Sequence, residues 1–82
     1  MSYKINIEKK AVKFLAKQPK QQRVRLLKAI YKLPDEGDIK NLKGLDNCFR
    51  LRVGSYRVIY LLDNSVLVIN VIEIGNRGDI YK

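Results

Sequence analysis

The hydrophobic pattern of this chain of 82 residues changes its period twice. From Tyr3 to Glu8 apolar and polar residues alternate, and this period of two predicts a short strand with one buried side. From Lys9 to Lys32 the apolar residues recur at helical spacing, and from about residue 47 the period of two returns. Each such element has one apolar face to bury, so the pattern favours helices packed against a sheet.

The helical part of the pattern contains two helices. The first begins at Lys9 and ends before Pro19, because proline cannot continue a helix. The second helix is predicted over about residues 20–32, and Pro19 suits its start. So short a link between the two helices predicts an antiparallel helical hairpin.

Three further strands are predicted after the helices, at about 47–53, 56–62 and 66–74. Gly54-Ser55 fits a two-residue hairpin turn with glycine first, and Asp63-Asn64 indicates a second turn. The element order β-α-α-β-β-β predicts an α+β fold, an antiparallel sheet with the helical hairpin packed on one face.

The Gly54-Ser55 turn fixes which side chains share a face of the sheet. It places Arg52 opposite Arg57 and puts Arg50 on the same face, the one that the helices leave open. Continuing through the second turn predicts Asn70 opposite Arg57. Like charges opposite each other cost about 0.2–1 kcal/mol per pair, so the cluster indicates an anionic ligand. The alternative is an ordinary solvated face, but no acidic residue lies within residues 50–57.

The charge of the chain points to the same kind of ligand. Lys and Arg total 17 against 8 Asp and Glu, a net charge of +9. Residues 1–40 carry a net +7, mostly from lysine, whereas every basic residue between Gly44 and Tyr81 is arginine. The planar guanidinium matches phosphate, while lysine is a hydrated point charge. We therefore expect the protein to bind nucleic acid. The lysines would attract the nucleic acid at long range, and the arginines would contact its phosphates.

Several classes of protein are excluded by residues that the sequence lacks. Without histidine there is no Ser-His-Asp triad, no Cys-His pair and no histidine metal site. Cys48 is the single cysteine, which excludes a disulfide framework and fits a reducing compartment. No apolar run reaches the roughly 18 residues that span a bilayer, and the start has no apolar signal core. The expectation is a cytoplasmic protein with no membrane association, no metal and no cofactor.

Two residues near the end of the chain could join the arginine face. Arg77 follows the last predicted strand, and Tyr81 is the penultimate residue. A phenol has an ordinary pKa near 10 and needs cationic neighbours to act as a base, which the arginines would supply. The alternative for Tyr81 is a ring packed against the edge of the sheet.

Motifs in the second half resemble those of a RelE-type toxin of the RelE/ParE toxin–antitoxin superfamily. They are Leu-Lys-Gly at 42–44, the basic-apolar-basic strand at 50–52, Gly-x-Tyr-Arg-x-x-Tyr at 54–60, and Gly-x-Arg at 75–77 with a closing tyrosine. The helical hairpin is compatible with the same superfamily. The resemblance therefore implies a single RelE-like toxin domain over residues 1–82.

The resemblance implies a ribosome-dependent endoribonuclease that cuts mRNA in the ribosomal A site without a metal. It matches Arg57 and Arg77 to the family's phosphate-stabilising arginines and Tyr81 to its C-terminal tyrosine. We expect Tyr81 to deprotonate the 2′-hydroxyl or to stack on a base. Arg50 and Arg52 take two strand positions that are lysines in RelE itself. Arginine there keeps the positive charge but cannot transfer protons, since its pKa lies above about 12.

The resemblance also implies partners and leaves other functions open. We expect the ribosome, mRNA and an acidic, partly disordered antitoxin that folds on binding. One alternative is a ParE-like inhibitor of DNA gyrase without nuclease activity. Another is a non-enzymatic basic module that binds RNA or the ribosome. The full arginine and tyrosine set favours the nuclease.

Overall fold

A computed structural model describes residues 3–76 of the chain. Its helices and strands, in chain order, are β1 (Lys4–Ile7), α1 (Lys9–Ala16), α2 (Lys20–Ile30), β2 (Asp38–Asn41), β3 (Cys48–Val53), β4 (Tyr56–Asp63) and β5 (Val68–Asn76). Both predicted helices are present, and the break between them falls at Pro19 as expected.

The strands form one sheet in the order β1-β5-β4-β3-β2. Strand β1 runs parallel to β5, and the other neighbouring pairs are antiparallel. The predicted α+β fold with two helices packed on the sheet is confirmed, but the sheet is mixed and has one strand more than expected. The added strand β2 contains a single apolar residue, Ile39, so its sequence carries no alternating pattern.

The hydrophobic core lies between the helices and one face of the sheet. Its fully buried members are Ala11, Leu26, Ile30, Leu51, Val58, Tyr60, Ile69 and Val71. Burial of each large apolar side chain contributes about 1.5–3 kcal/mol. The Tyr56 hydroxyl donates to Gln18 Oε1 at 3.0 Å, which ties the link between the helices to β4. The helices therefore cover one face of the sheet and leave the arginine face open.

The β3–β4 hairpin has the predicted register. Arg52 lies opposite Arg57, and Arg50 lies opposite Ile59. Gly54 occupies the first turn position with φ +59°, a left-handed conformation that favours glycine. Arg50, Arg52 and Arg57 consequently share the open face, as the sequence predicted.

The predicted pairing of Asn70 with Arg57 is wrong. Asp63 is still paired, with Val68, so the turn is longer than the two residues expected. The Asp63 carboxylate accepts hydrogen bonds from the Ser65 backbone N–H at 3.0 Å and the Ser65 hydroxyl at 2.6 Å, which shapes the longer turn. The register of β4 with β5 also shifts between Ile59 and Tyr60. Asn70 therefore lies opposite Leu61, while Gly75 is opposite Arg57.

Across residues 3–76, neither helix has the length and apolar character that a membrane span requires.

Candidate nucleic-acid interface

A groove of about 850 Å³ lies on the open face of the sheet, beside β2 and the loop that follows it. We call it the cationic groove. The residues that line it are Lys40, Asn41, Leu42, Lys43, Leu45, Arg50 and Arg57. Two lysines and two arginines converge on this space with no carboxylate among the lining residues. Such a surface attracts a phosphate-bearing ligand.

Arg50 is the most unusual residue of the groove because it is charged and only 9% exposed. Its Nη2 donates to Asp38 Oδ1 at 3.4 Å. Its Nε is buried and has no hydrogen-bond partner within residues 3–76. A buried donor without an acceptor costs about 1–3 kcal/mol or more when the group is charged. Arg50 is therefore a buried charge that the described residues satisfy only in part.

The three predicted arginines share a face but do not all line the groove. Arg57 on β4 is half-buried and lines it together with Arg50. Arg52 is exposed, lies directly opposite Arg57, and is not part of the lining. The groove itself is therefore built on Arg50 and Arg57, with Arg52 beside it.

Sequence reasoning missed two lysines of the groove. Lys40 lies directly opposite Arg50, on the strand that the hydrophobic pattern did not reveal. Lys43 belongs to the Leu-Lys-Gly motif in the loop after β2, and that motif was the available signal. Asn41 Nδ2 shapes this loop by donating to the carbonyl oxygens of Leu45 and Cys48, each at 3.0 Å.

Two carboxylates moderate the charge of the open face. Asp38 lies opposite Arg52 in the register and pairs with Arg50, so the arginines do have an acidic neighbour, supplied from outside the hairpin. Glu73 pairs with Lys10 Nζ at 3.4 Å. The face remains strongly positive after both pairs are counted.

The remaining predicted site residues, Arg77 and Tyr81, lie outside the described residues. Strand β5 ends at Asn76, and Gly75, the first residue of the Gly-x-Arg motif, lies opposite Arg57. Cys48, which shares the open face, is buried at 5% exposure, as expected of a packing residue.

The chain is similar to known proteins over nearly its whole length. A family model described as "ParE toxin of type II toxin-antitoxin system, parDE" matches residues 5–81. RelE1 of Methanocaldococcus jannaschii is 30% identical, and the match covers 100% of this chain and 98% of that protein.

Two solved structures of archaeal complexes share the fold. The crystal structure of the RelE–RelB complex from Pyrococcus horikoshii OT3 matches with a TM-score of 0.79 and 32% identity, over 96% of this chain and 99% of that chain. The RelB–RelE antitoxin–toxin complex from Methanococcus jannaschii matches with a TM-score of 0.73 and 28% identity, over 93% of this chain and 94% of that chain.

Proposed function

Because the chain belongs to the RelE/ParE superfamily of type II toxins and is of the RelE type, we propose that it is a ribosome-dependent endoribonuclease. Its substrate is mRNA in the ribosomal A site, and it acts in the cytoplasm. The observation that carries this proposal is Arg50, a buried and only partly satisfied arginine that lines a groove with three other cations.

The cationic groove supports RNA as the ligand. Phosphate contacts from lysine and arginine dominate the affinity of proteins for nucleic acid. Arg50 and Arg57 each present a planar fork that can hold two oxygens of one phosphate. Lys40 and Lys43 add point charges along the same space. The arrangement suits a phosphodiester backbone that runs through the groove.

The proposed reaction is an internal transfer at phosphorus. The 2′-oxygen of the nucleotide before the scissile bond attacks the adjacent phosphorus, and the bond to the 5′-oxygen breaks. Tyr81 in its phenolate form accepts the proton of the 2′-hydroxyl, and the departing 5′-oxygen takes up a proton from water. The products are a 2′,3′-cyclic phosphate and a free 5′-hydroxyl.

The arginines would stabilise the negative charge that builds on the phosphate oxygens during this reaction. In the proposal Arg57 and Arg77 hold the scissile phosphate, while Arg50 and Arg52 neutralise the transition state and the leaving group. One well-placed donor of this kind typically contributes about a hundredfold or more to the rate. Guanidinium groups stay protonated, so their part is electrostatic and the proton transfer rests on Tyr81.

Dependence on the ribosome follows from what the groove lacks. Its described lining contains no carboxylate that could act as a general base, and the chain has no histidine. Such a site would be slow on free RNA. A ribosome that holds the message in a reactive geometry supplies the orientation that the protein alone does not provide.

An acidic antitoxin is the proposed protein partner. The two archaeal relatives described above were crystallised with RelB. A chain with a net charge of +9 attracts an acidic partner at long range, and a partly disordered partner can wrap a large surface as it folds.

The test is to map transcript ends on translating ribosomes after addition of the purified protein. The wild type should produce new ends within codons at the A site, with 5′-hydroxyl termini. Arg57→Ala and Tyr81→Phe should each lower the rate by about a hundredfold. Arg25→Ala, which removes an exposed arginine on the helical side, should cleave normally. Intact transcripts with the wild type would refute the proposal.

The name of the matching family model favours one second candidate, an inhibitor of DNA gyrase that cleaves no RNA. This candidate predicts DNA damage after expression and loss of supercoiling by purified gyrase, with intact transcripts. Salt-sensitive RNA binding without either effect would instead indicate a non-enzymatic binding module.

A further inference from the structure

Asp38 and Arg50 form an ion pair whose two members are buried very unequally. The Arg50 side chain is 11% exposed, whereas the Asp38 side chain is 59% exposed. Because the carboxylate is largely in solvent, its attraction for the buried guanidinium is weakened by water. The pair therefore contributes little to the stability of the fold, and its main effect is to orient the buried guanidinium.

The surroundings of Arg50 explain why its orientation needs a partner. Lys40 lies directly opposite it on β2, Arg52 is two residues further along β3 on the same face, and Arg57 shares the groove. All three repel a guanidinium. Asp38 is the carboxylate that contacts Arg50 among residues 3–76.

The ion pair with Asp38 uses only part of the hydrogen-bonding capacity of Arg50. A guanidinium has five N–H donors in a fixed plane. Asp38 accepts from Nη2, while the buried Nε has no acceptor within residues 3–76. Fixing the plane at Nη2 therefore fixes the orientation of the whole guanidinium, which belongs to a residue that lines the groove.

We propose that Asp38 is a positioning residue that holds the Arg50 guanidinium in the orientation in which it neutralises the charge of the transition state and the leaving group. This inference rests on the proposed ribonuclease function. Asp38 touches neither the RNA nor the reacting atoms, and it acts through Arg50. In its absence the three neighbouring cations turn the guanidinium away from the phosphate, although the charge of Arg50 remains.

Removal of the Asp38 charge therefore has opposite effects on binding and on turnover. Asp38→Asn makes the open face more positive by one unit, so RNA binds equally well or up to about fivefold more tightly at low salt. The cleavage rate of bound RNA falls by about ten- to a hundredfold, because a misplaced group loses most of its catalytic effect. A loss of folding would weaken both together.

The experiment measures the two quantities separately. Single-turnover cleavage on translating ribosomes at saturating protein gives the rate, and an oligonucleotide with 2′-O-methyl groups, which cannot be cleaved, gives the dissociation constant. Asp38→Glu keeps the charge and should recover most of the rate. Asp46→Asn is the matched control, since it removes the charge of another exposed aspartate close in sequence, and it should cleave at the rate of the wild type.

The same Asp38 substitution made in an Arg50 variant tests whether Asp38 acts through Arg50. In Arg50→Lys the planar fork is absent, so the further change Asp38→Asn should lower the rate by less than twofold. Cleavage by Asp38→Asn at the wild-type rate would overturn the proposal. A parallel loss of cleavage, RNA affinity and melting temperature would overturn it as well, since that pattern belongs to a structural residue.

A readout without cleavage separates this proposal from the proposed function. The Arg50 Nε–H resonance can be followed by NMR during titration with inorganic phosphate. We expect it to shift in the wild type and in Asp46→Asn, and to be lost to exchange or to stay unchanged in Asp38→Asn. If the wild type fails to cut RNA, the ribonuclease proposal fails, and this titration still decides the role of Asp38. Equal shifts in wild type and Asp38→Asn would refute it.

Discussion

Arg52 and Arg57 lie directly opposite each other across the β3–β4 hairpin. Both side chains carry a positively charged guanidinium group. A like-charged pair in this position destabilises a sheet by about 0.2–1 kcal/mol. The hairpin therefore maintains its arginine face at the expense of its own stability, which is expected of a surface selected for an anionic ligand.

The first prediction is that Arg52→Gln stabilises the protein while it weakens RNA binding. The free energy of unfolding should rise by up to about 1 kcal/mol, because the repulsion with Arg57 is removed, and Asp38, which lies opposite Arg52 but pairs with Arg50, offsets only part of it. The slope of RNA affinity against salt should fall by about one, because one phosphate contact is lost. Urea denaturation and RNA binding at several salt concentrations measure the two effects.

Lys13→Gln is the control for this prediction. It removes the same charge from an exposed position on α1, away from the β3–β4 hairpin. Its free energy of unfolding should stay within about 0.5 kcal/mol of the wild type. A destabilised Arg52→Gln variant would mean that the pair is not repulsive in this protein.

The second prediction concerns Lys43, a residue of the cationic groove that the hydrophobic pattern did not identify. Lys43→Gln should weaken RNA binding and reduce the salt slope by about one, since a lysine that contacts phosphate acts as a point charge. Lys13→Gln, on the exposed side of α1, is the matched control. Equal effects of the two substitutions would show that net charge, and not the groove, determines the affinity.

The positions of the three arginines could be predicted because a two-residue turn allows only one register for the strands that flank it. Gly54-Ser55 is such a turn, and the observed pairs follow from it. The second turn was harder to predict because Ser65 hydrogen-bonds the Asp63 carboxylate and lengthens the loop, so Asn70 lies opposite Leu61. Side-chain hydrogen bonds of this kind cannot be predicted from the alternation of apolar and polar residues.

Strand β2 accounts for most of what the sequence did not reveal about the site. Its four residues include one apolar side chain, and it lies at the edge of the sheet, where one pairing partner suffices. Lys40 and Asp38 both come from this strand, so the groove and the partner of Arg50 became visible only with the fold. The helices were predictable because their apolar stripes repeat over several turns.

The third prediction compares two glycines with left-handed backbones. A Cβ atom on Gly37, where φ is +129°, would lie 2.6 Å from Leu51 Cδ1, whereas a Cβ on Gly44, where φ is +82°, has nothing within 4 Å. Gly44→Ala should therefore cost about 1 kcal/mol of strain, and Gly37→Ala about 2–3 kcal/mol because Leu51 in the core must also move. Urea denaturation of the two variants measures the difference in the free energy of unfolding. Equal losses would show that Leu51 moves aside without a measurable cost in packing.

The last prediction is an alkaline transition that depends on Tyr60. Burial raises the pKa of Tyr60 from its ordinary value of 10.0 to about 12. Below pH 10 the phenol is protonated in both the folded and the unfolded chain, so its ionisation does not lower the free energy of unfolding. As the pH rises from 10 towards 12 the unfolded chain loses this proton first, and the folded state loses stability.

Tyr60→Phe removes the hydroxyl and keeps the ring that stacks on Phe49, with centroids 5.6 Å apart. We expect the free energy of unfolding of this variant to decline less than that of the wild type between pH 10 and 12. The two curves should run parallel from pH 7 to 9.5. Tyr31→Phe, at a position that is 63% exposed, is the control and should follow the wild type throughout. An identical alkaline decline in Tyr60→Phe would assign the transition to other groups.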